Sequence, residues 1–380
     1  MSSTSHYIPG LEGIVAAQTR LSKVDGLAGE LVIGGFKVED VADRASFEEM
    51  IYLLWFDKLP NQTELKEFSV SVAELRELPP ATLDLLDSYA GKELNMMDAL
   101  RAAVGTLGWD APKEGSDLWV AKRLLATFPT IVAAAWRLFN RKKVINPDPV
   151  LSHAANYLYM LEGETPNAER VRGLETYLNT VIDHGLNAST FAARVIVSTA
   201  SDFVSAIVGA VGALKGPLHG GAPGPALDMV FEIGEAGKAE AVLRKKLEAG
   251  ERLMGFGHRV YKVRDPRADV LAKAAEEFYT SAGDMKLYNL ALDVEKVALR
   301  VLEEHKPGRN LQTNVEFYTA LLLHGLGLPT QCFTPTFAIG RVGGWLAHCF
   351  EQRKDGRLIR PQSEYVGVRD RKWVEMEKRK

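Results

Sequence analysis

Four of the eight histidines stand next to a glycine, in the stretches DHGLNAST, PLHGG, GFGHRVY and LLHGLG. They are His184, His219, His258 and His324. A histidine beside a glycine usually marks a helix end, and His324 fits this interpretation because Gly325 can stop the apolar helix before it. His219 differs, because the surrounding GPLHGGAPGP holds too many breakers for a regular helix or strand. We therefore take His219 as a candidate functional residue.

One acid and several arginines accompany these histidines along the chain. Glu316 lies in TNVEFYT, and RDPR, AIGRVGGW and RLIRPQSEY contain Arg267, Arg341 and Arg360. Because a planar guanidinium binds a carboxylate through two hydrogen bonds, an arginine cluster indicates a di- or tricarboxylate ligand. A carboxylate base with histidine donors suits removal of a proton next to a carbonyl, with the developing enolate oxygen held by a hydrogen bond.

Composition and motifs argue against several other classes of protein. A net charge of −3 and a pI near 6.3 disfavour a nucleic-acid partner. No histidine pair has metal-ligand spacing, and no GxSxG, GxGxxG or phosphate-binding loop supports a serine nucleophile or a nucleotide site. Two cysteines and a start, MSSTSHYIPG, without a targeting signal favour a cytoplasmic location. The apolar run Phe203–Leu214 is shorter than the ~20 residues that span a bilayer, so we expect no membrane partner.

Helical periodicity dominates the 380 residues, so the predicted fold class is mainly α. SFEEMIYLLWF has the one-sided apolar stripe of an amphipathic helix, and Asn61 or Thr63 can cap the next helix. GELVIGGFKV and RLIRP are the best strand candidates. NASTFAARVIVSTASDFVSAIVGAVGAL has small residues on all sides, which predicts a central helix in the core or at a subunit contact. Breakers at 216–225, 255–257 and 307–308 enclose a helical unit typical of an inserted small domain.

Several blocks in a fixed order resemble the citrate synthase family over nearly the whole chain. GFGHRVYKVRDPR is similar to the family signature, glycine-aromatic-glycine-histidine followed by Asp-Pro-Arg. HGLNASTFAARVIVST, LKGPLHGGAPGPALDM, NVEFYTALLLHGLGLP, AIGRVGGWLAHCFEQ and RLIRPQSEYVG resemble further family blocks. The resemblance implies a two-domain, all-helical homodimer, with a large domain of residues 1–219 and 321–380 and a small domain of residues 220–320.

The resemblance also implies a role for each candidate residue. His219 would hydrogen-bond the thioester carbonyl of acetyl-CoA, Glu316 would take a proton from its methyl group, and His258 would polarise the ketone of oxaloacetate. The carboxylates of oxaloacetate would be held by His184, Arg267, Arg341 and Arg360, the last reaching over from the other subunit. The implied CoA contacts are Arg252, Leu253, Met254, Gly255, Phe256 and Lys262. Acetyl-CoA is a substrate, so no resident cofactor is implied.

One departure concerns Glu316, where most family members carry aspartate. The extra methylene requires a shift of about one ångström in the backbone or in a partner histidine, and an uncorrected displacement of that size can cost ~100-fold in rate. Two alternatives stay open beside citrate synthesis. A 2-methylcitrate synthase would use propionyl-CoA with the same residues, since one methylene in an apolar pocket is worth only ~1–3 kcal/mol. A non-catalytic dimer that binds CoA or tricarboxylates would keep the fold without turnover.

Overall fold

The computed structural model describes residues 7–92, 95–109, 116–219 and 223–379, and these residues are mainly helical. Sixteen α-helices, one three-stranded antiparallel sheet and four short 3-10 turns form their regular structure. The predicted fold class is therefore confirmed. The predicted domain limits stay predictions, and residues 220–222 beside the first limit lie outside the described residues.

The sheet consists of β1 (Ser22–Asp25), β2 (Glu30–Ile33) and β3 (Phe36–Lys37), with β2 in the middle. The helices are α1 (Val38–Val41), α2 (Phe47–Phe56), α3 (Gln62–Ala73), α4 (Pro80–Asp87), α5 (Met96–Thr106), α6 (Asp117–Phe139), α7 (His153–Glu162), α8 (Ala168–Val181), α9 (Ala188–Ser198), α10 (Phe203–Leu214), α11 (Pro223–Ile233), α12 (Ala239–Glu248), α13 (Pro266–Ala282), α14 (Lys286–His305), α15 (Val315–Gly325) and α16 (Phe333–Asp355).

The local predictions have mixed outcomes. GELVIGGFKV supplies β2 and β3, Asn61 caps α3, and α15 ends at Gly325 directly after His324, as expected. The strand predicted at RLIRP was wrong, because residues 357–361 form no ladder with any other described segment. A short apolar run becomes a strand only where a neighbouring edge offers its backbone hydrogen bonds.

The small-residue segment 187–214 forms two helices, whereas a single one was predicted. Residues 199–202 separate α9 from α10, and Asp202 caps α10 by accepting a hydrogen bond from a backbone amide at 2.8 Å. The two helices pack together closely, since a Cβ on Gly209 would lie 2.2 Å from Cδ1 of Ile196. An aspartate cap competes with helix continuation, and this local signal overrides the uniform composition.

Helix α6 is the one helix among the described residues that is long and apolar enough to cross a membrane. Its apolar window is 72% buried inside the protein, which is typical of a core helix. Helix α16 is equally long and also lies in the core, where Trp345 is fully buried.

Polar caps begin the three helices that follow the candidate site loops. The side chains of Asn187, Asp265 and Asn314 cap α9, α13 and α15, each accepting a hydrogen bond from a first-turn amide at 3.0–3.1 Å. Such acceptors satisfy amide groups that the helix itself leaves without a partner. Each cap therefore fixes the residue at which its helix begins and the direction in which the preceding loop leaves.

A glycine on α16 lets this helix approach the end of α8. A Cβ on Gly344 would lie only 2.1 Å from the backbone oxygen of Ile182. One turn earlier on α16, Nε of Arg341 donates to the backbone oxygen of Val181 at 2.5 Å. Because α8 ends just before His184, this contact places Arg341 beside the loop that carries the histidine.

Replacing Gly344 with alanine should destabilise the protein, because the new methyl group meets a backbone oxygen that cannot rotate away. We expect the free energy of unfolding to fall by about 1–3 kcal/mol, measured by chemical denaturation. Gly343→Ala is the matched control, since its Cβ would meet a movable side-chain atom, Cδ1 of Ile51, at 1.9 Å. Equal losses in the two variants would contradict the close approach of α16 to α8.

Candidate active site

The rings of His184, His258 and Tyr261 form one cluster. Nε2 of His184 lies 3.1 Å from the hydroxyl oxygen of Tyr261, which is 77 residues away in the sequence. The ring centroids of the two histidines are 5.8 Å apart, and those of His258 and Tyr261 are 4.9 Å apart. The structure thus brings together two of the predicted histidines and adds a tyrosine that sequence reasoning missed.

The hydrogen bonds of His258 determine which of its ring nitrogens carries a proton. Nδ1 accepts from the backbone amides of Val260 at 3.0 Å and Tyr261 at 3.1 Å, so the neutral ring is protonated on Nε2. Nη2 of Arg267 lies 3.4 Å from Nε2, and because both atoms carry protons this contact is not a hydrogen bond. No described residue accepts from the Nε2–H group, so it can donate to a ligand oxygen.

His219 is held by Ser189 at the start of α9. Its Nε2 lies 2.7 Å from Oγ of Ser189 and 3.4 Å from the amide nitrogen of the same residue. Oγ donates to Oδ1 of Asn187 at 2.8 Å and accepts from Nε1 of Trp345 at 3.1 Å. These contacts hold the plane of the His219 ring against the start of α9.

Asp265 and Arg267 form a buried, two-pronged ion pair. Nε and Nη2 of Arg267 lie 3.0 and 2.8 Å from the two carboxylate oxygens, and both side chains are almost fully buried. Burial alone would lower the pKa of Arg267, but the charge and hydrogen bonds of Asp265 outweigh it and raise that pKa. The pair holds the Arg267 guanidinium in one orientation beside His258.

Arg341 has a different environment, because no carboxylate of the described residues forms an ion pair with it. Its side chain is 1% exposed, its Nε donates to Val181, and its guanidinium lies 4.7 Å from the ring centre of Phe337. Burial lowers the pKa of Arg341 to about 10, although the charge of Asp183 opposes the shift. A buried guanidinium without a carboxylate partner is suited to an anionic ligand.

Backbone pairing joins the loop of His258 to the turn of Glu316. Residues 255–257 run antiparallel to residues 312–314, with two backbone hydrogen bonds of 2.9 and 2.7 Å. The side chain of Asn314 adds a third, donating from Nδ2 to the oxygen of Gly257 at 2.7 Å. Because this pairing ends one residue before His258 and two before Glu316, it fixes their relative position.

The residues expected to contact CoA lie on the loop before His258 or just after it. Arg252 and Lys262 are exposed, Met254 and Phe256 are partly buried, and Leu253 packs into the core. Gly255 has a φ of +89°, and a Cβ there would lie 2.9 Å from Cβ of Phe317, so only glycine fits. The CoA contacts themselves stay a prediction.

Burial is the largest influence on the pKa values of His219, His258 and Glu316. It lowers the pKa of His219 and of His258 to about 4, and the charges of Arg341 and Arg267 add to these two shifts. It raises the pKa of Glu316 to about 7, although Arg267 opposes this shift. At neutral pH both imidazoles are therefore uncharged N–H donors, while Glu316 changes its charge in this range and can take up a proton.

Arg360 does not join the cluster. It is exposed and lines an open cleft of about 1240 Å³ between the N-terminal segment and the residues that follow α16. Its expected action in the site of a second subunit stays a prediction.

Some structural roles that the sequence analysis missed have a local sequence signal, and others have none. Asp265 precedes Pro266, and Asp-Pro is a common start of a helix, so its capping role was readable from the sequence. Trp345 and Ser189 lie 156 residues apart. No local pattern predicts a hydrogen bond across that distance.

With Glu316 as the expected base, the pH dependence of turnover should report the pKa of this carboxyl group. A base works only when it is deprotonated, so kcat/KM should rise roughly tenfold per pH unit below about pH 7 and level off above it. His219 and His258 should not change the slope of the profile near neutral pH, because their pKa values are about 4. The measurement is CoA release over a pH series, with circular dichroism as the control for folding. A profile that stays flat down to about pH 5 would contradict this assignment.

Comparisons with known proteins show the family to which this chain is related. The family model described as citrate synthase, C-terminal domain, matches residues 10–362. A citrate synthase of Haloferax volcanii is 40% identical over 379 residues, which cover 97% of this chain and 98% of that protein. A 2-methylcitrate synthase of Shewanella oneidensis is 36% identical over 372 residues, covering 96% of both chains.

Solved structures give the same result. The crystal structure of citrate synthase from Thermotoga maritima is 40% identical, with a TM-score of 0.85 over 98% of this chain and 99% of that one. The citrate synthase of Thermoplasma acidophilum, solved as a ternary complex with carboxymethyl coenzyme A and oxaloacetate, is 32% identical. Its TM-score is 0.88 over 97% of this chain and 98% of that chain. The chain therefore belongs to the citrate synthase family.

Proposed function

We propose that this protein condenses acetyl-CoA with oxaloacetate and hydrolyses the resulting citryl-CoA to citrate and CoA. One observation carries the proposal. Three features occur together in a chain related to citrate synthases. They are an imidazole N–H and a buried guanidinium, neither with an acceptor or carboxylate partner among the described residues, and an acid with a pKa of about 7 that feels the charges of Arg267 and Arg341. The proposed reaction needs no resident cofactor, because acetyl-CoA is a substrate.

The two buried arginines support oxaloacetate as the first ligand. Arg341 lacks a carboxylate partner among the described residues, and Arg267 bonds Asp265 through Nε and Nη2, which leaves Nη1 for a ligand. Oxaloacetate carries two carboxylates and a ketone, and Nε2–H of His258 supplies a donor for the ketone oxygen. The Thermoplasma acidophilum protein was solved with oxaloacetate, which fits this ligand class.

The proposed chemistry assigns one proton transfer to Glu316 and two hydrogen bonds to the histidines. Glu316 removes a proton from the methyl carbon of acetyl-CoA, and the electron pair moves onto the thioester oxygen, where His219 donates. The enolate carbon then attacks the ketone carbon of oxaloacetate, and the ketone electron pair moves onto the oxygen that faces His258. Net transfer of the proton from Glu316 to this oxygen gives the hydroxyl group of citryl-CoA. Water finally attacks the thioester carbon, the carbon–sulfur bond breaks, and the sulfur takes a proton from the water as CoA leaves.

The proposed active unit is a homodimer in which Arg360 completes the site of the partner subunit. Apolar side chains of the segment after α16 are exposed in the single chain, with Val366 90% exposed and Trp373 79% exposed. Exposed apolar groups at this density are typical of a surface that packs against another molecule. The proposed location is the cytoplasm, where the free thiols of Cys332 and Cys349 would stay reduced.

The second candidate function is 2-methylcitrate synthesis, favoured by the relative of that name in Shewanella oneidensis. Propionyl-CoA differs from acetyl-CoA by one methylene, and the residues named above act on both in the same way. Discrimination of only about 1–3 kcal/mol is expected from a single methylene, so both donors can be turned over at different rates.

CoA release with each acyl donor tests the proposed reaction. We expect turnover with oxaloacetate and acetyl-CoA, and Glu316→Gln should lower kcat by about 10²–10⁴-fold because the base is lost. Glu277→Gln serves as the control, since Glu277 is an exposed acid on α13. A higher kcat/KM with propionyl-CoA would favour 2-methylcitrate synthesis. Binding of both substrates without CoA release would support the non-catalytic alternative.

Mixing of inactive variants tests the shared site. Arg360→Ala and Glu316→Gln should each be nearly inactive, but a hybrid dimer has one site with both native residues. Random pairing should therefore restore about a quarter of the wild-type activity. A mixture of His258→Ala and Glu316→Gln is the control, because both residues come from one chain and no hybrid site is intact. No restoration in the first mixture would contradict the exchange of Arg360 between subunits.

A further inference from the structure

Glu295 on α14 is a buried carboxylate that the proposed reaction does not use. The residue is 8% exposed, and described side chains donate to both of its oxygens. Oε1 accepts from Nη1 of Arg264 at 2.7 Å and from Oγ1 of Thr313 at 2.5 Å, while Oε2 accepts from the hydroxyl of Tyr318 at 2.6 Å. One carboxylate thus binds three separate points of the chain.

Two of the three donors flank the candidate catalytic base in the sequence. Thr313 lies three residues before Glu316, and Tyr318 lies two residues after it. Arg264 directly precedes Asp265, the carboxylate that orients Arg267. Glu295 therefore holds the turn of Glu316 on both sides and joins it to the segment that carries the ligand-binding arginine.

Glu316 depends on its backbone for its position. Its amide donates to Asn314 at 3.0 Å, but its carboxylate has no hydrogen-bond partner among the described residues. A side chain without such partners points wherever its backbone and packing direct it. The groups that fix residues 313–318 therefore also fix the direction of the base.

Helix formation does not require Glu295, because Asn314 already caps α15. Taking a carboxylate out of water is unfavourable unless its partners compensate, and an apolar side chain of similar size would fill the same space without that cost. The retained charge thus points to a geometric role.

We propose that Glu295 is a positioning residue that aims the carboxylate of Glu316 at the methyl group of acetyl-CoA. It acts through Thr313 and Tyr318 and does not touch the substrate. This inference rests on the proposed function, since it takes Glu316 to be the base. Only proton abstraction should suffer when Glu295 is changed, while the later hydrolysis of citryl-CoA breaks no C–H bond and should proceed normally.

Glu295→Gln in the full-length protein tests the inference. It keeps the shape of the side chain but replaces the charge and one acceptor oxygen. We expect kcat for condensation to fall by about 10–100-fold, because a displacement of about one ångström has an effect of this order. The primary isotope effect on kcat with deuterated acetyl-CoA should increase. The KM for oxaloacetate and the rate of citryl-CoA hydrolysis should stay within about threefold of wild type.

Glu304→Gln is the matched control. Glu304 lies on the same helix and is also ion-paired, to Arg244. It is exposed, and it does not contact the donors that bind Glu295. This variant should show wild-type kcat and isotope effect. Thr313→Val, which removes one hydrogen bond and leaves the charge, provides a milder second variant if Glu295→Gln does not fold, and it should lower kcat several-fold with the same increase in isotope effect.

A double variant separates the inference from the proposed function. If Glu295 only positions Glu316, then adding Glu295→Gln to Glu316→Gln should lower kcat no further. Unchanged kcat in Glu295→Gln, or parallel losses in condensation, citryl-CoA hydrolysis and thermal stability, would overturn the positioning role. Wild-type turnover in Glu316→Gln alone would instead overturn the proposed base.

Discussion

The carboxylate of Asp265 is the constraint on which the geometry of the cluster depends. It binds Arg267 through two hydrogen bonds, and it accepts the amide of Val315 at 3.3 Å, where α15 begins. Burial alone would raise the pKa of Asp265, but the charge and hydrogen bonds of Arg267 hold that pKa below its usual range. The segments of Asp265 and Val315, 50 residues apart, cannot separate without leaving a buried charge with fewer partners.

Burial explains how neutral imidazoles and a carboxyl with a raised pKa occur in the same part of the protein. Desolvation disfavours the charged form of every group, so the imidazoles bind protons less tightly and Glu316 binds its proton more tightly. Arg267 strengthens the shift of His258 and opposes that of Glu316. The result is an uncharged imidazole and a carboxyl that titrates near neutrality, both close enough to Arg267 to feel its charge, and this combination suits proton abstraction next to a carbonyl.

The sequence predicted the parts of this site that local patterns encode. Helical periodicity gave the fold class, and glycine-flanked stretches pointed to His184 and His258, which the structure places 5.8 Å apart. Contacts between distant segments had no local signal, as with Tyr261 beside His184. The uniform small residues of 187–214 hid a helix break, because composition outweighed a single aspartate cap in that prediction. Protonation sites of the rings depend on hydrogen-bond partners and become readable only in three dimensions.

The position of the Glu316 carboxylate is set by the backbone of residue 316, because no hydrogen bond in the described part of the chain holds its side chain. Compared with aspartate it has one more rotatable bond, and its carboxylate lacks a hydrogen-bond partner among the described residues. The antiparallel pairing of residues 255–257 with residues 312–314 ties this turn to His258. A displacement that makes room for the extra methylene therefore moves both segments together.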